Sequence, residues 1–450
     1  MDVLIRLKGC LFVGEMLSFL SLLSTLLISI WTSTAAQLEP VSSPMQLLNQ
    51  EQLAVAQTLA QQYPQSLLTY DLLGQVYHQQ GQTDQATQVW ERCLVHTPSH
   101  INAYLNLGLA AAQAGDFLTA IKFYQKATAI NPDRADIHNH LAVAFIGLGR
   151  IQSAIEQLQI SVHIRPNDSK AQYELGRAYF LANDFSQAQA CYQSTIKLKP
   201  DYSPAYYGLA MTYRRLGLEQ KCQQHLTKFQ QLKAKEIQHK VAHIRNYDDL
   251  TQIKQKVADT CTQAGRIYNT HGDTKQAKTL WLRAINLEAQ NQTARLQLML
   301  LYKQAGQLEA AIQVCYELIQ LTPDSTEHYL NFGILAMQLS QFELAESAFQ
   351  KVISLQPKQA GGYRELAELY LRANHNLPQA QQLAQRAVAL SISAPAKTAA
   401  QSYYILAWSY ETQNNLKAAI NALQQALRLM PADEIYQRLY HQLQQKLTSP

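Results

Sequence analysis

An all-α solenoid of about ten helix-turn-helix units, arranged as two arrays of five, is predicted by three observations in this chain. A pattern of 34 residues recurs along it. Every unit but one has a small residue at its eighth place, and every unit has a small residue, almost always Ala, at its twentieth. Most units also carry a helix-ending Gly or Asn at the fifteenth place. A fixed period of this length is the signature of stacked two-element repeats, each too small to bury its apolar face alone.

Counted from Leu67, the eighth places are Gly74, Gly108, Ala142, Gly176, Ala210, Gly265, Met299, Gly333, Ala367 and Ala407, of which only Met299 is large. The twentieth places run from Ala86, Ala120, Ala154 and Ala188 through Cys222 to Ala277, Ala311, Ala345, Ala380 (after a one-residue slip) and Ala419. Within unit two, Tyr104, Leu107, Gly108 and Ala111 share one helical face, and Ala120, Tyr124 and Ala127 share the facing one. Small residues at places 8 and 20 let the two backbones approach, and the aromatic at place 24 fills the wedge beside them. Left-handed φ at a helix C-terminus favours Gly and then Asn. Place 15 supplies one or the other in every unit except the eighth, which has Ser340.

Unit one carries Tyr70, Leu73, Gly74, Tyr77, Ala86, Trp90 and Pro98 at places 4, 7, 8, 11, 20, 24 and 32. This set resembles the tetratricopeptide repeat (TPR) family motif, with a single departure at place 27, Cys93. The resemblance extends over 67–236 and 258–433, about three quarters of the chain. It implies a right-handed superhelix whose concave groove holds a protein or peptide, and it names no ligand.

Outside the repeats the chain divides by composition. Residues 37–66 form a linker and an N-terminal capping helix, with Leu53, Ala56, Leu59 and Ala60 on one face before Pro64. Residues 434–450 end in a C-terminal capping helix carrying Ile435, Leu439, Leu443 and Leu447. Between the arrays, 237–257 is a basic junction. From Glu219 to Asn246 there is neither Gly nor Pro, so the second helix of unit five runs on, and a second long helix leads into Cys261 and Gly265. Two lengthened helices at one junction interrupt the stacking and set the arrays at an angle.

Residues 1–36 read as an export signal or a membrane anchor. Arg6 and Lys8 precede an apolar run from Met16 to Trp31, and small residues stand ahead of Gln37. A run this short favours cleavage, whereas a retained anchor would begin near Cys10 and either bury the Glu15 carboxylate or place it at the membrane interface. Either outcome locates the repeats outside the cytoplasm. The net charge of +5 is mild and gives no case for nucleic acid, although the ten Lys and Arg of 214–256 stand against four carboxylates. Export invites disulfides, yet Cys93, Cys222, Cys261 and Cys315 fall at core places and read as buried small hydrophobes.

No catalytic domain fits in the space left beside the repeats. Eleven of the seventeen glycines sit at places 8 and 15, where helix packing and helix ending explain them, so no phosphate loop is read from them. His239 and His243 share a helical face, but no third metal ligand has a fixed spacing to them, and neither a metal nor a cofactor is expected. His138 occupies the aromatic place 4 and reads as core.

In TPR arrays, places 2, 5, 9, 12 and 13 of each first helix face the groove. Here they give two apolar zones. One contains Leu105, Leu109, Val143 and Ile146; the other contains Leu296, Leu300, Leu330, Ile334 and Met337. Between them lies a zone of Tyr173, Arg177, Phe180, Tyr207, Met211, Arg214 and Arg215. Aromatics interleaved with arginines suit a protein or peptide carrying carboxylates, and this middle zone is the expected partner site. The clamp that some TPR proteins close on a chaperone C-terminus is not met, because only Asn106 matches its pattern. The chain therefore reads as a non-catalytic scaffold or adaptor. The alternative is an accessory subunit of an envelope assembly or polysaccharide-export machine, docked through its N-terminal segment or basic junction.

Overall fold

The computed structural model describes residues 43–246 and 249–448, with side chains outside 239–249. The leader 1–36, the pair His239 and His243 and the charged side chains of 240–249 lie outside what it describes. Among the described residues every regular element is an α-helix. None of these helices is long and apolar enough to cross a membrane.

A leading helix α1 (Pro44–Gln62) precedes the units. Units one to three are α2 (Leu67–Gln79) with α3 (Thr83–His96), α4 (Ile101–Gln113) with α5 (Phe117–Ile130), and α6 (Ala135–Gly147) with α7 (Ile151–Ile164). Units four and five are α8 (Ser169–Leu181) with α9 (Phe185–Leu198) and α10 (Ser203–Arg215) with α11 (Glu219–Asn246). Units six to eight are α12 (Asp249–Thr270) with α13 (Thr274–Leu287), α14 (Gln292–Gln304) with α15 (Leu308–Leu321), and α16 (Thr326–Gln338) with α17 (Phe342–Leu355). Units nine and ten are α18 (Ala360–Arg372) with α19 (Leu377–Leu390) and α20 (Ala396–Thr412) with α21 (Leu416–Leu429), closed by α22 (Glu434–Thr448).

Places 8 and 24 are matched in volume, and this match sets the spacing within each unit. A Cβ added to Gly265 would lie 2.5 Å from the Trp281 indole nitrogen, and one on Gly176 would lie 2.9 Å from the Tyr192 ring. Where place 8 is Ala142, Ala210 or Ala407, place 24 shrinks to Leu158, Leu226 or Leu423. Met299 fits by the same rule because its place 24 is Cys315, and both are buried. The turn at place 15 takes positive φ in all ten units. Ser340 conforms too, at φ 57°, although it is neither Gly nor Asn. A residue with a short polar side chain accepts the left-handed region at moderate cost.

The largest difference from the sequence-based expectation is at α1. It does more than cap unit one: it packs on α2 and also along α12, as closely as two helices pack within a unit. Leu48, Ala56 and Leu59 share one buried cluster with Val257, Ala258, Cys261 and Trp281. Gln52, 1% exposed, donates to Gln79 Oε1 and to Thr260 Oγ1, both at 3.0 Å, and accepts from Gln80 Nε2. Tyr63 stacks on His271 with ring centroids 4.2 Å apart and meets Tyr268 edge-on. The second array therefore begins from α1, and α11, whose neighbour in the stack is α10, does not lead into it.

Candidate partner-binding groove

The first helices present the expected middle-zone residues on α8 and α10. Tyr173 lies half-buried, 5.3 Å from the Tyr202 ring in an edge contact and 5.8 Å from Tyr192. Burial, followed by the neighbouring Glu174 carboxylate, pushes the Tyr173 phenol up. Arg177 is half exposed and holds Glu174 at 2.9 Å, so a partner carboxylate would have to share this guanidinium. Phe180 meets Phe185 edge-on at 5.6 Å. On α10, Tyr207 is 48% exposed and leans on Phe229 at 5.3 Å, with Met211 half-buried one turn further. Arg214 and Arg215 are exposed in the last turn of α10, where cations complement the helix dipole. The zone thus consists of a tyrosine-arginine group on α8 and a more open aromatic group on α10.

Both apolar zones are divided between packing and exposure. Leu105 and Ile146 pack against the core of units two to four, whereas Leu109 and Val143 remain exposed. Leu330, Ile334 and Met337 pack against the core of units eight to ten, while Leu300 is exposed. The exposed members all occupy place 9, Leu109 and Val143 on the adjoining helices α4 and α6 and Leu300 on α14 of the second array.

Two polar features went unread in the sequence. Along units one to three, His100 Nε2 lies 2.9 Å from Asp71 Oδ1, Asn102 donates to Asp71 at 3.2 Å, and Arg134 joins Asn102 to Asp136. Burial pushes the Asp136 carboxyl up, but the Arg134 fork outweighs it and holds the group below the usual range. The sequence carries this as acidic or amide residues at places 2 and 5 beside His100 and Arg134 at place 34, a register spread across neighbouring units and so invisible within one. Near the other end, a cleft of about 310 Å³ lies between α18, α20 and α22, floored by Arg364 and Glu365, paired at 2.7 Å. Its wall is the stacked pair Tyr404 and Tyr436, 5.5 Å apart. Burial pushes the Glu365 carboxyl up, against the pull of Arg364.

Family models described as tetratricopeptide repeat match residues 72–135, 111–172, 173–221, 330–395 and 400–433, together more than half of the chain. The chain belongs to the tetratricopeptide repeat family. Units six and seven fall outside these matches but have the same turns and buried places as the others, and the same helix lengths apart from the 22-residue α12. Among solved structures, it is similar to MamA at 23% identity, covering 37% of this chain and 97% of that one with a TM-score of 0.36. MamA from Desulfovibrio magneticus RS-1 gives 20% identity, 37% and 94% coverage and a TM-score of 0.36. YrrB, a TPR protein described as having an unusual peptide-binding site, gives 16% identity, 43% and 98% coverage and a TM-score of 0.36. No curated protein matches the chain.

TPR phase also accounts for the reactive residue types. Cys93, Cys191, Cys222, Cys261 and Cys315 are free and buried. Burial pushes the Cys93 and Cys191 thiols up to about 11 and those of Cys261 and Cys315 to about 12, which leaves no thiolate near neutral pH. His138 lies in the core between Gln157 Oε1 and the Pro132 carbonyl, both 2.8 Å away. Among the described residues no three His, Cys, Asp or Glu side chains gather as a metal set.

Proposed function

We propose that this TPR protein is a non-catalytic adaptor that holds a protein or peptide segment in its groove, with Tyr173, Arg177, Phe180, Tyr207, Met211, Arg214 and Arg215 as the partner site. One observation carries the reading: Leu109 and Val143 stay exposed at place 9 of adjoining units two and three, half-exposed Arg177 holds the same place in unit four, and Tyr207 is exposed on the next first helix, α10. Isolated exposed apolar residues are ordinary, but a pair of them on adjoining helices, continued by a guanidinium and a tyrosine, has the composition of a contact surface. The composition of residues 1–36 supports an extracytoplasmic location. We also infer that 67–236 and 258–433 work as two arrays joined through 237–257.

A photo-crosslinker at Val143 should capture a partner that one at Lys122, exposed on α5, does not. Replacing Arg177 and Arg214 by Ala should weaken that partner by about 2 kcal/mol, roughly thirtyfold, with melting unchanged. Equal capture from both positions, or unchanged affinity of the double variant, overturns the groove. Intact-mass measurement of the native protein checks export: loss of the residues ahead of Gln37, or a full-length chain in the membrane fraction, agrees with it, and a full-length chain in the cytoplasm overturns it.

A further inference from the structure

Place 27 is where a second helix receives the first helix of the following unit. In nine units it is buried, as at Ala127, Thr195 and Ala284, each fully covered. Unit five is the exception. Its place 27 is Phe229, the only aromatic at that place, and it stays half-exposed. Its place 24, Leu226, is half-exposed as well, whereas every other unit buries that place. The apolar surface continues outward to Tyr207 and Ile237, 48% and 53% exposed. The cause is topological. The helix that would follow, α12, lies against α1 instead, and among the described residues α11 packs on α10 alone.

We propose that this open end of the first array receives an acidic amphipathic helix from a partner protein, seated where a sixth first helix would lie. The shape follows from the other nine units, each of which covers this surface with one helix. The charge follows from residues 203–238, which carry six Lys and Arg against Glu219 and Glu236. A second copy would bring one basic surface against another, which costs affinity and slows encounter, whereas an acidic helix is drawn to it. The inference rests on the adaptor reading and extends it, because Tyr207 belongs to both surfaces.

The probe is a fluorescein-labelled helical peptide of roughly 16 residues, about four turns, with Ala and Leu at first-helix spacing and Glu elsewhere. A twin carries Lys at each Glu. The full chain should bind the Glu peptide at least about tenfold more tightly than its twin. Lys228→Glu, Lys233→Glu and Lys235→Glu together should abolish that preference. Ile237→Glu, at a half-exposed position that adds little to folding, should weaken binding by about tenfold with unchanged melting. A photo-crosslinker at 237 should label the Glu peptide. The proposal is overturned if neither peptide binds, if both bind equally, or if the crosslinker captures a second copy or another segment of this chain. Failure of the groove reading is separately visible, because Arg177→Ala leaves this peptide's affinity unchanged and acts only on the groove partner.

Discussion

The two ends of the first array share one chain design and have opposite fates. At its beginning, α1 is covered on two sides, by α2 and by α12, and Ala56 and Leu59 are fully buried. At its end, α11 is the longest helix described, yet it packs on one neighbour and leaves Phe229 and Leu226 half-exposed. The contrast shows that order in space need not follow order in the chain. Unit six follows unit five in sequence, but its core is continuous with α1, across contacts separated by 208 residues. Stacking in a solenoid is decided by which apolar face is available, and the long α11 carries the chain past its own unit.

Leu59→Ala gives the largest expected effect. Removing a fully buried leucine from the cluster that α1 shares with α12 and Trp281 should cost about 3 kcal/mol. Urea unfolding followed by Trp281 fluorescence measures it in the second array. An unchanged Trp281 transition would mean that the second array stands without α1, and the comparison would fail.

Place 27 tests the other end directly. Leu318→Ala, fully buried in unit seven, should cost about 3 kcal/mol, whereas Phe229→Ala should cost about 1 kcal/mol, since a half-exposed ring has less to lose on truncation. Equal costs, read from paired urea curves, would show that the face of α11 is covered in solution.

Gly265→Ala asks whether unit six obeys the common packing rule although no family model reaches it. The added methyl meets the Trp281 ring, so overpacking by about 2 kcal/mol is expected. Adding Trp281→Leu should recover much of the loss, because Ala with Leu is the pair in units three, five and ten. A double variant no better than the sum of its singles would remove the matched-volume account.

These sites also mark where the sequence was legible. Periodicity located the turns and the close approach of places 8 and 20, because each depends on residues within one unit. It also separated core cysteines and His138 from chemistry. The contact of α1 with α12 left only one trace, Gln52, a full period before Ala86 and polar where an alanine is usual. Its partners Thr260 and Gln80 explain the amide once the helices are seen together, but no local pattern could have supplied them. The groove residues were half legible for the same reason. Place assigned Tyr173 and Arg177 to one face, while the pairing of Arg177 with Glu174 and of Tyr207 with Phe229 depends on geometry between helices.

The smallest expected effect separates apolar from ionic holding of α1. Glu51 and Arg283 form a two-point fork at 2.7 and 2.8 Å, the most conspicuous polar link between the leading helix and α13. Both side chains are exposed by a third or so, 30% for Glu51 and 42% for Arg283. A pair so placed gains little over hydrated ions and is screened by salt, so Glu51→Gln should cost no more than about 1 kcal/mol. Raising the salt should weaken the wild type by a similar small amount and leave the variant unmoved. If Glu51→Gln instead cost as much as Leu59→Ala, the joint would be ionic, and the buried cluster of Leu48, Ala56 and Leu59 would follow from α1 docking without driving it.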